Sequence, residues 1–383
     1  YTGSGNKYLD TFAKEITIRS ANGPDNCIID CQEVGRGFFF ATDESNTTVL
    51  DGVTIRNGFE EAGAAVLVTN TASPVIRNCH IRNCNTGDVG GAVSVKLTGG
   101  VYLENCTFSD NQSSTGGGGI HIDPDGKVIM INCFLTGNFT KRSGGALYVR
   151  GELTMSNCSL TENSSGFSGG AIACSGSCSI TDSAFSNNSA DEGGVLETSQ
   201  RGVFTLTNCN LVDNSATKVA GAAHLRDTGA MTFIGCTFSG NQSGNGGAIY
   251  ADSESLDVID CTFENNLGNK GGAIYIQEAT GAITGSTFTT NIAEYTGGAI
   301  HFSTSSEIVL GGSETENANS FEDNRAGSGS DLYAGDIFAT PVDARNNNFA
   351  GCVQSDYYIV PQAAFDLTGC QGALTPITQD VYV

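Results

Sequence analysis

Residues 101–120 read VYLENCTFSDNQSSTGGGGI. Val101 and Leu103 alternate inward, Asn105 interrupts, Cys106 and Phe108 alternate inward again, Asn111 closes the run, and a Gly-rich turn leads to Ile120 and Ile122. Period-2 alternation broken by Asn, Asp, Ser and Gly is the pattern of short strands joined by tight turns. Two phrases in this stretch return about every 26 residues. An aromatic or Leu three residues before Asn recurs as Phe108/Asn111, Leu135/Asn138, Leu160/Asn163, Phe185/Asn188, Leu211/Asn214, Phe238/Asn241, Phe263/Asn266, Phe288/Asn291 and Phe321/Asn324. Gly-Gly-Ala-aliphatic, or a close variant, ends at Val93, Ile120, Leu147, Ile172, Leu196, Ala223, Ile249, Ile274 and Ile300. A fixed period of this length means stacked repeats.

The columns between the phrases are as regular. The residue before the repeating Cys is Asn78, Asn105, Asn132, Asn157, Asp182, Asn208, Gly235, Asp260 or Gly285, all types that tolerate left-handed backbone, so a corner is expected there. The next column, Cys79, Cys106, Cys133, Cys158, Ser183, Cys209, Cys236, Cys261 and Ser286, supplies small groups that stack. The Asn column is expected to form a ladder, because an amide carries donors and an acceptor and can bond the coils above and below. The expected fold is all-β: a right-handed parallel β-helix of about 12–13 coils of three short strands, right-handed because parallel crossovers prefer that hand. Residues 1–48 read as an N-terminal cap and first coils, 49–330 as the repeat body, and 331–383 as final coils and a C-terminal cap or docking tail. Ile377 to Val383 alternates like a strand that could pair with its own chain or with a neighbour.

The Gly-Gly-Ala-Ile and Phe-x-x-Asn phrases resemble those of the chlamydial polymorphic membrane proteins and, more widely, extracellular pectate-lyase-like β-helices. The resemblance implies a surface protein. Polymorphic membrane proteins are adhesins carried by a C-terminal outer-membrane barrel, but this chain has no barrel pattern, so anchoring is not carried over.

A net charge of −23 argues against nucleic acid or anionic membrane as partner, and no run has the length of a membrane-spanning helix. The chain begins at Tyr1 with no signal-peptide pattern, as expected of a mature product or a piece of a longer protein. Of 14 Cys, the ladder members, with Cys31 counted among them, read as a buried thiol stack, with cross-coil disulfides sterically open. Cys27–Cys31, Cys174–Cys178 and Cys352–Cys370 read as disulfide candidates of an oxidising compartment, while Cys84 occupies an Asn-ladder position. The Cys79/Cys84 spacing is no zinc signature, and no metal or cofactor is expected. Of the N-x-S/T sequons, those at Asn111, Asn138, Asn163 and Asn241 are ladder residues and should be buried; Asn46, Asn105, Asn157 and Asn187 are the candidate glycosylation sites.

By strand alternation the residue after each Gly-Gly-Ala-aliphatic phrase faces outward: Ser94, His121, Tyr148, Ala173, Glu197, His224, Tyr250, Tyr275 and His301. His121, Tyr148, His224, Tyr250, Tyr275 and His301 are therefore the candidate ligand or partner face, since Tyr serves sugar stacking and protein contacts. Catalysis is not expected there. Glycoside hydrolysis needs two facing carboxylates, whereas Asp123 and Asp252 lie five coils apart. Asp123 between Lys96 and Arg150, and Arg226 beside Asp252, read as charge ladders. The hydroxyl column after Cys (Thr107, Ser159, Thr237, Thr262, Thr287) suggests ice binding, but Phe134 and Asn210 interrupt it. The sequence thus points to a non-enzymatic extracellular structural or adhesive protein, self-associating or binding surface proteins or glycans, with a filament subunit as one form. A carbohydrate-active enzyme or carbohydrate-binding module of the same fold is the alternative.

Overall fold

The structure, a computed structural model, describes residues 1–199, 202–226, 229–304, 306–311, 317–334, 342–344, 347–350, 357–359 and 365–366. It divides into two compact units, Tyr1–Val203 and Phe204–Val383. Each is a right-handed parallel β-solenoid, with about 12 turns in all.

One coil of the first unit shows how the repeat folds. Ile120–Ile122 is a glycine-led strand, Lys127–Ile131 a longer one, Phe134–Thr136 a third, and Phe139–Thr140 adds a two-residue segment before the next glycine turn. This short fourth strand extends the expected three. Each pairs in parallel with its counterpart one coil on, for example Ile120↔Leu147, Lys127↔Glu152, Phe134↔Ser159 and Phe139↔Ser164. The first residues join the sheets: Thr17–Arg19 pairs with Val49–Asp51, Ile28–Asp30 with Thr54–Arg56, and Phe38–Phe40 with Val66–Val68. In the second unit coils continue beyond Asn324, where Leu332–Ala334 follows Ile300–Phe302 and Asn348–Ala350 follows Ser320–Glu322. Ile377–Val383, Cys352 and Cys370 lie outside the described residues.

The expected corner is left-handed throughout, from Asn78 (φ 53°) to Gly285 (φ 59°). A second left-handed corner precedes the Asn ladder at Asn83, Asp110, Gly137, Glu162, Asn187, Asp213, Gly240, Asn265 and Thr290. In the glycine pair the first residue has positive φ, as at Gly169 (62°), and the second has no room for a Cβ: one at Gly170 would sit 2.1 Å from the Gly194 carbonyl oxygen. Ala220 occupies the first position at φ 59°, a conformation costing an L-residue about 1–2 kcal/mol. Ala220→Gly therefore raises the stability of the second unit by about 1 kcal/mol. Urea denaturation checks this, and a lowered midpoint contradicts it.

Inside, Phe238, Phe263, Phe288, Phe321 and Phe349 stack face to face at 4.6–4.9 Å in the second unit. Asn111, Asn138, Asn163 and Asn188 form the amide ladder of the first unit, and Asn214, Asn241, Asn266, Asn291 and Asn324 that of the second. Each amide reaches the next at 2.9–3.1 Å, and all these Asn are buried. Parallel register is thus fixed by side chains as well as by backbone.

Candidate functional site

The His/Tyr stripe is not an outer face. His121, His224 and His301 are only 2–3 % exposed and Tyr275 7 %, with Tyr148 and Tyr250 half-buried. The glycine-led strands are covered on both sides, Ile120–Ile122 being buried at all three positions. The cover is the turn that leads into each strand. The Tyr148 ring lies against the backbone of Gly116, where a Cβ would sit 2.6 Å from Cδ1, and the Thr296 hydroxyl lies 2.8 Å from His301 Nδ1. Strand alternation alone puts these side chains in solvent; the returning turn removes them from it.

The stripe is a ring ladder instead. His121 stacks on Tyr148 at 5.6 Å in the first unit. In the second, His224 meets Tyr250 edge-on, and Tyr250, Tyr275, His301 and Tyr333 stack at 4.8–4.9 Å. Asp123 does not join Lys96 or Arg150 in an ion pair. Its carboxylate lies 3.7 Å from His121 Nε2 and accepts the Leu97 backbone N–H at 3.3 Å. Coil-to-coil charge pairs form elsewhere: Arg56 with Asp30, Arg77 with Asp51, and Lys127 with Glu152.

Burial holds the His121 imidazole down to about 4, and His224 and His301 down to about 3. All three are neutral at physiological pH. The unfolded chain takes up these protons near pH 6.5 and the folded chain only near 3–4, so the unfolded state binds more protons between those values. Stability is therefore full above about pH 6.5 and falls as pH drops, by up to ~1.4 kcal/mol per pH unit for each His. His301→Gln should lose less stability than the parent between pH 7 and 4.5 in urea titrations. Equal losses contradict the assignment.

Cys27 and Cys31 flank the strand Ile28–Asp30 and are separate thiols. Four residues of extended chain place them about 13 Å apart, too far for the expected bridge. Register also puts Cys27, not Cys31, in the Cys column, because Ile28, Thr54 and His80 align. Cys174 and Cys178 are buried thiols in contact. Cys84 starts the Asn ladder: its N–H donates to Asn111 Oδ1 and its sulfur accepts the Gly58 N–H. Burial pushes its thiol up to about 12, so it is not a nucleophile. Asn46, Asn105, Asn157 and Asn187 are exposed. Asn105 and Asn157 belong to a second, solvent-side amide ladder that runs through Asn132 and Asn78 to Asp51.

What the sequence reading missed is the row just after each ladder Asn. There the short strands present side chains to solvent, and their identity varies from coil to coil. In the first unit Phe59, Asn85, Gln112 and Phe139 are consecutive register partners. With Gly87 and Lys141 they line a groove of about 250 Å³. In the second unit Leu267 and Ile292 are partners, both exposed, with Tyr295 nearby. Variability at one position in an otherwise constant repeat was the available signal. Among the described residues no His, Cys, Asp or Glu cluster could hold a metal, and no helix is long and apolar enough to cross a membrane.

The family described as right handed beta helix region matches residues 14–180 and 64–224. The Chlamydia polymorphic membrane protein repeat matches residues 235–252 and 260–277. No curated protein and no solved structure matches the chain.

Proposed function

The chain belongs to the right-handed β-helix family, and on that premise we propose that it is a non-enzymatic extracellular surface protein whose coils hold an adhesive face. The repeats similar to those of polymorphic membrane proteins support a surface location. The observation that carries the adhesive reading is the outer short-strand row. Core columns stay constant while this row displays exposed Phe59 in the first unit, with Phe167 in a later turn, and exposed Leu267 and Ile292 in the second, with Tyr295 on the same strand as Ile292. Scattered exposed apolar residues are ordinary, but adjacent apolar partners such as Leu267 and Ile292, exposed side by side, mark a contact surface. Saturable binding of the purified, labelled chain to an intact cell layer is the expected result, and its absence contradicts adhesion.

A filament subunit is the second reading. It is favoured by exposed Tyr1, Tyr8, Phe12, Ile16 and Val34, gathered within the first coils. Electron microscopy of undenatured material decides it: regular filaments support end-to-end assembly, separate particles oppose it.

A further inference from the structure

We infer that the groove lined by Phe59, Asn85, Gly87, Gln112, Phe139 and Lys141 binds an oligosaccharide carrying a carboxylate-bearing sugar. The inference deepens the adhesive reading and rests on it.

The four register partners place the two Phe at the ends of a run three strand spacings long, about 14 Å. Phe59 is 52 % exposed, so its ring is open to a ligand. Flat rings offer stacking surface to the C–H faces of sugars. Between them, Asn85 and Gln112 are exposed amides with no side-chain partner among the described residues. Each presents donors and an acceptor, the complement of vicinal hydroxyls. Rings that stack at both ends, with amides between them that bond in both senses, suit a sugar chain running along the coil stack.

Charge sets the polarity. The chain carries −23 overall, yet Lys141 and Arg142 stand side by side, both exposed, at the Phe139 end, with no ion-pair partner among the described residues. At the Phe59 end lies Glu60, bound to Arg36 and to the Tyr8 hydroxyl. A carboxylate is therefore favoured at the Lys141 end, while at the other end the Arg36 cation is already taken by Glu60. Gly87 keeps the middle open: a Cβ there meets nothing within 4 Å, and its φ is not left-handed.

The test is retention of the whole chain on an immobilised panel of short sialylated, uronic-acid-containing and neutral oligosaccharides. Acidic members should be retained best, and retention should weaken with salt. Phe59→Ala and Phe139→Ala should each weaken it about tenfold. Lys141→Ala should erase the preference for acidic over neutral members. Gly87→Trp should abolish binding by filling the groove, with circular dichroism unchanged. No retained member, or retention undiminished in Gly87→Trp, overturns the inference. Adhesion that then persists on cells stripped of glycans leaves the adhesive reading standing, whereas loss of all adhesion overturns both.

Discussion

Asn163→Ala should lower the stability of the first unit by about 3 kcal/mol or more, the largest loss expected from a single polar residue. The Asn163 amide donates to the Leu135 carbonyl at 2.9 Å and to Asn188 Oδ1 at 3.1 Å. Its Oδ1 accepts both the backbone N–H and the side-chain amide of Asn138. Truncation leaves two donors on Asn138 and the Leu135 carbonyl without this partner in a fully buried site. Each orphaned group costs about 1–3 kcal/mol. Thermal unfolding should shift down by roughly 10 °C or more, at a few degrees per kcal/mol. Asn105→Ala at the exposed corner should cost only about 1 kcal/mol, the strain of Ala in left-handed backbone. Similar shifts for the two variants would refute a ladder that works through burial.

Phe263→Ala should cost the second unit about 3–5 kcal/mol. The ring is fully buried between Phe238 at 4.6 Å and Phe288 at 4.8 Å, nearly parallel to both. Its removal opens a void whose walls are other rings held by backbone register, so the site cannot collapse cheaply. Phe263→Leu should cost less than about 1.5 kcal/mol, because Leu211 already fills this column in the same unit. Urea midpoints of the two variants decide the point, and equal losses would mean that volume is not what the column supplies.

Both effects rest on columns that were legible in the sequence, and for one physical reason. A residue whose neighbours above and below are copies of itself is restricted in every coil, so chemistry shows as identity. Asn163 and Phe263 announce themselves by repetition. So does the first corner, which admits only Asn, Asp or Gly. The second corner stayed hidden because Glu162 and Thr290 sit there despite positive φ, blurring the residue-type restriction. The His/Tyr stripe was misjudged for a different reason. Alternation says which side of a strand a residue takes but not what lies beyond that side, and here the glycine turn folds back over it. Cys84 could not be placed from its type, since a thiol starting an amide ladder has the wrong chemistry for its neighbours and is explained only by the Gly58 N–H that it accepts. The groove was invisible because Phe59, Asn85, Gln112 and Phe139 do not repeat one residue type from coil to coil; only register unites them.

We propose that this solenoid binds rather than cleaves. The most direct test is the size distribution of an acidic polysaccharide, followed by light scattering during prolonged incubation with the purified chain. The prediction is an unchanged chain length at every time point, whether or not the polysaccharide is bound. Progressive shortening would contradict it and make the protein a polysaccharide-degrading enzyme.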